Sequence, residues 1–187
     1  MRVSTIIPVF NGSATIAAAI DSAISQGLDG QEIIIINDGS TDAPSRVAAS
    51  YGSKVRVIEQ SRRGPSAARN AGARIASGEY LAFLDADDIW LEGRITKTCA
   101  ALDNDSKAVL AFSDLIPMNQ HGELGEPWVI GKPPSMSDLL TQGCRIYPSA
   151  VTMRRRVCEL CRGFDERLPK LADHYLWMLA REHGEFA

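Results

Sequence analysis

Glu32-Ile33-Ile34-Ile35-Ile36-Asn37-Asp38-Gly39-Ser40-Thr41-Asp42 is the stretch on which the fold turns. Four consecutive isoleucines leave no polar face, as expected of a strand buried on both sides of a parallel sheet. The polar residues that follow at once mark the strand's carboxyl end, and Asp-Gly predicts a turn there. Asp38 at that position has two readings, a turn residue or an acceptor for a ribose or base edge.

Working outward, the same arrangement recurs. Val3 to Val9 is a second unbroken apolar run, ending in Phe10-Asn11. A helix is expected from about Ser13, as N-cap, to Gln26, with Ile16, Ile20 and Ile24 at intervals of four. After the Asp38–Asp42 turn come a short helix to about Ser50 and a strand from Lys54 to Glu59. Gly64-Pro65-Ser66 opens a helix through Ile75, since proline suits the first helical position. Its small residues, Ala67, Ala68, Ala71 and Gly72, would let it lie close to the sheet. Tyr80 to Leu84 is a fourth strand, followed by Asp85-Ala86-Asp87-Asp88.

Strands alternating with helices predict an α/β domain: a mainly parallel, Rossmann-like central sheet flanked by helices. Ligands of such sheets bind beyond the carboxyl ends of the strands. The polar clusters at Asn11, Asp38 and Asp85–Asp88 all fall there. Beyond Asp88 a helix is expected from Leu91 to Asn104 and a strand from Ala108 to Ser113. A loop excursion should run from Asn119 to Pro134, with a strand over 145–153 and a last helix from Asp173 to His183. Gly184 to Ala187 reads as the entrance to another strand.

Composition bounds the function. At 187 residues the chain suits one compact domain, and 45% hydrophobic and 23% charged content is ordinary for a globular protein. A net charge of −3 gives no electrostatic case for nucleic acid. The Arg154-Arg155-Arg156 cluster is too short to reverse this and reads as a solvated face or a local phosphate contact. No apolar run approaches the roughly 20 residues that span a bilayer, and Val3–Val9 is too short for a secretory signal. A cytoplasmic location is expected, with peripheral attachment to the membrane left open. Four cysteines without a second close pair beside Cys158-x-x-Cys161 suggest reduced, core-facing thiols near one short helix, with Cys99 and Cys144 elsewhere.

Several residues carry chemistry. Asp85, Asp87 and Asp88 repel one another at a strand end, and a divalent cation is the usual relief. Their oxygens suit Mg²⁺ or Mn²⁺ with substrate phosphates completing the octahedron; the plainer reading is a solvated turn capping the next helix. Arg69, one turn into the Pro65 helix, is awkward for the helix dipole unless a diphosphate sits there. Asp173 would be an N-cap or a general base, with nearby Trp177 raising its pKa.

Taken in order, Ile6-Ile7-Pro8-Val9-Phe10-Asn11, Ile35 to Asp42, Gly64 to Gly72, Phe83 to Asp88, Gly163-Phe164-Asp165-Glu166 and Asp173-His174-Tyr175-Leu176-Trp177 closely resemble family 2 glycosyltransferases of the GT-A fold. That resemblance implies inverting transfer from a nucleotide diphosphate sugar, often a UDP-sugar, to an acceptor hydroxyl on a sugar, lipid-linked or other molecule, with Mn²⁺ or Mg²⁺. It implies that Pro8, Phe10, Asn11 and Asp38 line the nucleoside pocket and that Arg69 approaches the diphosphate. Asp85 and Asp87 would form an Asp-x-Asp element, Asp87 the direct metal ligand, Asp85 nearer the ribose and Asp88 a second contact. Asp173 would be the base. It also divides the chain into a nucleotide-sugar half, 1–90, and an acceptor-side half, 91–187.

Two departures stand out: Ala172 replaces the glutamate usual before Asp173, and family members commonly continue further, so a truncated chain is expected. The alternative is a nucleotide-sugar-binding module or inactive homologue. A nucleotidyltransferase should carry a glycine-rich basic loop where Phe10 to Ser13 stands. An aspartyl phosphatase leaves the Asn37–Asp42 and Gly64–Gly72 segments unexplained, and the dehydrogenase fingerprint is absent. The sequence assigns no particular sugar and no oligomeric state.

Overall fold

The computed structural model describes residues 3–119, 121–141 and 146–187. Seven strands form one sheet in the order β3-β2-β1-β4-β6-β5-β7. They are β1 (Val3–Val9), β2 (Gln31–Asp38), β3 (Arg56–Gln60), β4 (Tyr80–Phe83), β5 (Ala108–Phe112), β6 (Val151–Arg154) and β7 (Glu185–Phe186). β1 pairs in parallel with β2 and β4, β2 with β3, and β5 with β7; β6 runs antiparallel between β4 and β5. The expected mainly parallel sheet is therefore present, with one reversed strand.

The isoleucine run explains the layering. On a strand, successive side chains point to opposite faces. Ile34 and Ile36 enter one hydrophobic cluster and Ile33 and Ile35 the other, all at most 5% exposed. Burying each such side chain contributes about 1.5–3 kcal/mol. One face is covered by α1 (Ile16–Ile24), α2 (Pro44–Ala49) and α4 (Arg94–Asn104), the other by α3 (Pro65–Ile75), α6 (Arg155–Leu160) and α7 (Ala172–Arg181). Helix α3 lies close to the sheet: a Cβ on Gly72 would fall 2.5 Å from Ile6 Cγ2.

Some boundaries differ from expectation, each for a local reason. Helix α1 starts at Ile16, with Thr15 rather than Ser13 at the N-cap position, and the Ser13 amide donates to Asp42 Oδ2 at 2.8 Å, tying two turns together. The expected strand over 145–153 is a 3-10 turn at Pro148–Ala150 followed by β6; Arg145 itself lies outside the described residues. Proline has no N–H for a ladder but suits the first position of a helical turn. A short helix, α5 (Met136–Thr141), follows the loop excursion. Its start is a capping box: Ser135 donates twice to Asp138 Oδ2, at 2.9 and 2.6 Å, and the Asp138 amide returns to Ser135 Oγ at 3.2 Å. Asp173 is the second residue of α7, not its N-cap; Leu171, at φ 60°, precedes the helix.

The arginine cluster is mainly structural. Arg154 Nε donates to the Ala108 carbonyl and Arg155 Nε to that of Gly78, both at 2.8 Å. Cys158 and Cys161 face the core beside α6, and burial pushes their thiols up to about 12 and about 11. Cys144 lies outside the described residues.

Candidate active site

The carboxyl ends of β1, β2, β3 and β4 and the start of β6 meet at one edge of the sheet. Strand β1 pairs with β2 along its length but with β4 only as far as Ile6, so Pro8 lies where one flank has no strand neighbour. A missing N–H is tolerable there. Phe10 follows, half-exposed, with the Arg62 guanidinium 3.9 Å from its ring centroid. Asn11 is held at φ 52°, a conformation asparagine tolerates. Its Oδ1 accepts from the Thr41 amide at 2.8 Å and the Thr41 hydroxyl at 3.1 Å, and its own amide donates to Ser40 Oγ at 3.0 Å.

Asp38 is 3% exposed, and both its oxygens are engaged. Oδ1 accepts from Gln60 Nε2 at 2.7 Å and from the Arg63 amide at 2.8 Å; Oδ2 accepts from the Gly64 amide at 2.8 Å. It therefore latches the turn between β3 and α3, which carries Arg62 and Pro65. Gly39 makes that turn's approach feasible: its φ is +73°, and a Cβ would sit 2.7 Å from the Arg62 nitrogen.

The acidic loop is tied to helix α3. Arg69, 9% exposed, donates through Nη2 to Asp85 Oδ1 at 2.6 Å. Its guanidinium carbon lies 5.4 Å from the Phe164 ring centroid, and Phe164 packs edge-on against Trp177 of α7 at 6.1 Å. Asn70 clasps the same segment, accepting from the Phe164 amide and donating to its carbonyl, both at 2.8 Å, and donating to Glu166 Oε1 at 3.0 Å. A side chain at Gly163 would collide with Asn70 Oδ1.

From the reversed strand's side comes Ser149, which the sequence did not single out. Its hydroxyl accepts from the Asp85 amide at 3.0 Å, and its carbonyl accepts from Trp90 Nε1 at 2.7 Å. Asp87 and Asp88 face solvent. The Asp88 carboxyl is raised above its ordinary value, mainly by partial desolvation and further by Asp85 and Asp87; a hydrogen bond with Ser149 and the Arg69 charge oppose this. Asp173 is half-buried, and its Oδ1 accepts the His174 amide at 2.8 Å. Trp177, one turn further along the same helix, packs on Phe164, which in turn lies beneath the Arg69 that pairs with Asp85.

Among the described residues no group of three or more His, Cys, Asp or Glu is gathered to hold a metal unaided. The donor chemistry nevertheless fits a hard cation held by one or two carboxylates plus substrate oxygens. Crowded carboxylates, one destabilised in its charged form, are what such an ion relieves.

The sheet, with its one reversed strand and polar groups at the carboxyl edge, agrees with the GT-A fold that the sequence resemblance implies. The profile of glycosyl transferase family 2 matches residues 4–159, and the chain belongs to that family. It is similar to an uncharacterized glycosyltransferase of Rickettsia felis, 31% identical over 94% of this chain and 30% of that one. It is likewise similar to uncharacterized glycosyltransferase YibD of Escherichia coli, 37% identical over 68% of this chain and 37% of that one. Solved structures share the fold: TarS 1-349 of S. aureus in complex with UDP (TM-score 0.80, 22% identity) spans 100% of this chain, which covers 58% of it. Mannosyltransferase PcManGT of Pyrobaculum calidifontis, in complex with GDP-Man and Mn2+, has a TM-score of 0.76 at 18% identity, covering 99% of this chain and 53% of that one. The chain thus spans about a third of the length of these curated relatives. Among the described residues no helix is long and apolar enough to cross a membrane.

Proposed function

We propose that this chain is the donor-binding and catalytic part of an inverting, metal-dependent glycosyltransferase that moves a sugar from a nucleotide diphosphate sugar, a UDP-sugar first, to an acceptor hydroxyl. The product would be a polysaccharide, lipopolysaccharide or other glycoconjugate. Residues 1–90 would hold the donor and 91–187 face the acceptor. The observation that carries this reading is the 2.6 Å Arg69–Asp85 ion pair, which fixes a buried guanidinium against the first carboxylate of the acidic loop at the sheet edge.

The nucleobase would stack on the Phe10–Arg62 pair, while Asp38 holds the turn beneath it and offers Oδ2's remaining lone pair to a base edge. Asp85 would orient the ribose. Arg69 Nε is buried without a partner among the described residues, and a phosphate oxygen would satisfy it. Asp87, with Asp88 as second contact, would hold Mn²⁺ or Mg²⁺, which when bound neutralises charge developing on the leaving diphosphate. Asp173 would take the proton of the attacking hydroxyl. Attack from the face opposite the diphosphate inverts the anomeric centre.

The experiment is calorimetric titration of UDP, GDP, CDP and ADP, with and without Mn²⁺, against wild type and Asp87→Ala. Metal-dependent binding of one nucleotide, lost in the variant, is expected. Absence of binding to the folded chain refutes the donor site. One observation favours a second reading, a binding module without turnover: Ala172 is 7% exposed, and among the described residues the Asp173 carboxylate accepts only the His174 amide. Nucleotide binding without sugar transfer would select it.

A further inference from the structure

Of the three tryptophans, Trp90 and Trp177 are 6% and 0% exposed and spend their indole N–H groups on backbone carbonyls. Trp128 is 54% exposed. Its ring centroid lies 6.4 Å from that of Tyr147, itself 47% exposed. Leaving large aromatic surface in water is unfavourable, and paired exposed aromatics mark a ligand surface.

Both rings stand on fixed backbone. Trp128 exchanges hydrogen bonds with Leu115, at 2.7 and 3.3 Å, and the Ile130 amide donates to Asp114 Oδ1 at 2.8 Å. The Tyr147 carbonyl accepts from the Ala150 amide at 2.9 Å. The neighbours of Tyr147 fix its place relative to the candidate active site. The Ile146 carbonyl accepts from Trp177 Nε1 at 2.9 Å, on the helix carrying Asp173, and Ser149 accepts from the Asp85 amide. Tyr147 therefore lies between the acidic loop and the helix of the candidate base, where an acceptor must sit.

Resting on the transferase reading above, we propose that Trp128 and Tyr147 form a stacking platform for a pyranose ring of the acceptor. One face of a pyranose presents polarised C–H groups, which complement the negative face of an aromatic ring. An anionic lipid surface fits less well. Over residues 114–147, which carry both rings, four carboxylates, Asp114, Glu123, Glu126 and Asp138, stand against two cations, Lys132 and Arg145, whereas lipid-binding segments are basic.

Because Trp128 is the one tryptophan open to solvent, its emission reports on the platform directly. Acrylamide quenching is measured with UDP and Mn²⁺ present, while methyl β-glycosides of glucose, N-acetylglucosamine, galactose and mannose and their β-linked trisaccharides are titrated in. At least one sugar is expected to lower the quenching constant twofold or more. Its half-saturating concentration should rise about tenfold in Tyr147→Ala, which keeps its UDP affinity, and stay near wild type in Tyr147→Phe. Failure of every sugar to protect, or protection undiminished in Tyr147→Ala, overturns the platform. Protection by phosphatidylglycerol vesicles and not by sugars overturns it too, assigning the surface to an anionic membrane. Sugar protection in a wild type that binds no nucleotide would leave the platform standing and sink the transferase reading.

Discussion

Replacing Asp38 by Asn keeps its shape and changes one oxygen for an NH₂ group. In the native turn, two amide N–H groups and the Gln60 side chain all donate to this carboxylate over 2.7–2.8 Å, and the residue is 3% exposed. The Asn amide can orient its oxygen toward Gln60 and Arg63 or toward Gly64, never both. At least one buried N–H then faces another donor. Losing a hydrogen bond to a charged acceptor and leaving its donor unmet costs about 2–3 kcal/mol. For a chain of this size that lowers Tm by roughly 4–12 °C. Differential scanning fluorimetry reads this, with Gln60→Ala as the milder control that removes only a side-chain donor. Because the latch holds Arg62 and Gly64 in place, nucleotide affinity should fall in parallel. An Asp38→Asn variant melting within about 1 °C of wild type refutes the latch; if nucleotide affinity nevertheless falls, the carboxylate acts as a ligand contact instead.

Ser149→Ala removes the acceptor of the Asp85 amide from a site 4% exposed to solvent. A stability loss of about 1–2 kcal/mol is expected, with UDP affinity in Mn²⁺ weakened at least fivefold by calorimetry; unchanged affinity would reduce Ser149 to a fold contact. The buried thiols of Cys99 and Cys158 titrate near 12 in the fold against 9.0 ordinarily, and Tyr80, raised mainly by burial, near 12 against 10.0. Each raised value favours the protonated form in the folded chain, so this stability is fully present below about pH 9 and is lost as pH rises toward 12. Urea midpoints falling steadily from pH 9 to 11 check the sign, and a rise would contradict it. At pH 8 roughly one thiol in ten thousand is ionised at such a value, so mapped alkylation of Cys99 and Cys158 by iodoacetamide should await unfolding.

What could be read from the residues follows from how local each signal is. The strands of the first half announce themselves, because burial on both faces permits unbroken runs such as Ile33–Ile36. Helix α3 carries its own start signal in Pro65 and its own packing signal in Gly72. That polar residues after β1, β2 and β4 share one edge followed from topology, and that edge is the candidate site. The partners were not readable. Asp38 looks like a turn residue, while its donors lie at Gln60, Arg63 and Gly64, on the next strand and turn. Ser149 has no local signature and matters only because β6 reverses. Helix α5 had a signal, Ser135 to Asp138, in a stretch otherwise lacking periodicity.

The reversed strand has a consequence for how this chain is made. β4 ends at Phe83, yet its neighbour β6 does not begin until Val151. At about 5–20 residues per second, a ribosome leaves the β4 edge unpaired for several seconds. For that interval Leu81, Ala82 and Phe83, each fully buried in the finished fold, border an open edge that any extended chain nearby can pair with. Yield of soluble protein should therefore depend on translation speed between these strands as much as on the stability finally reached.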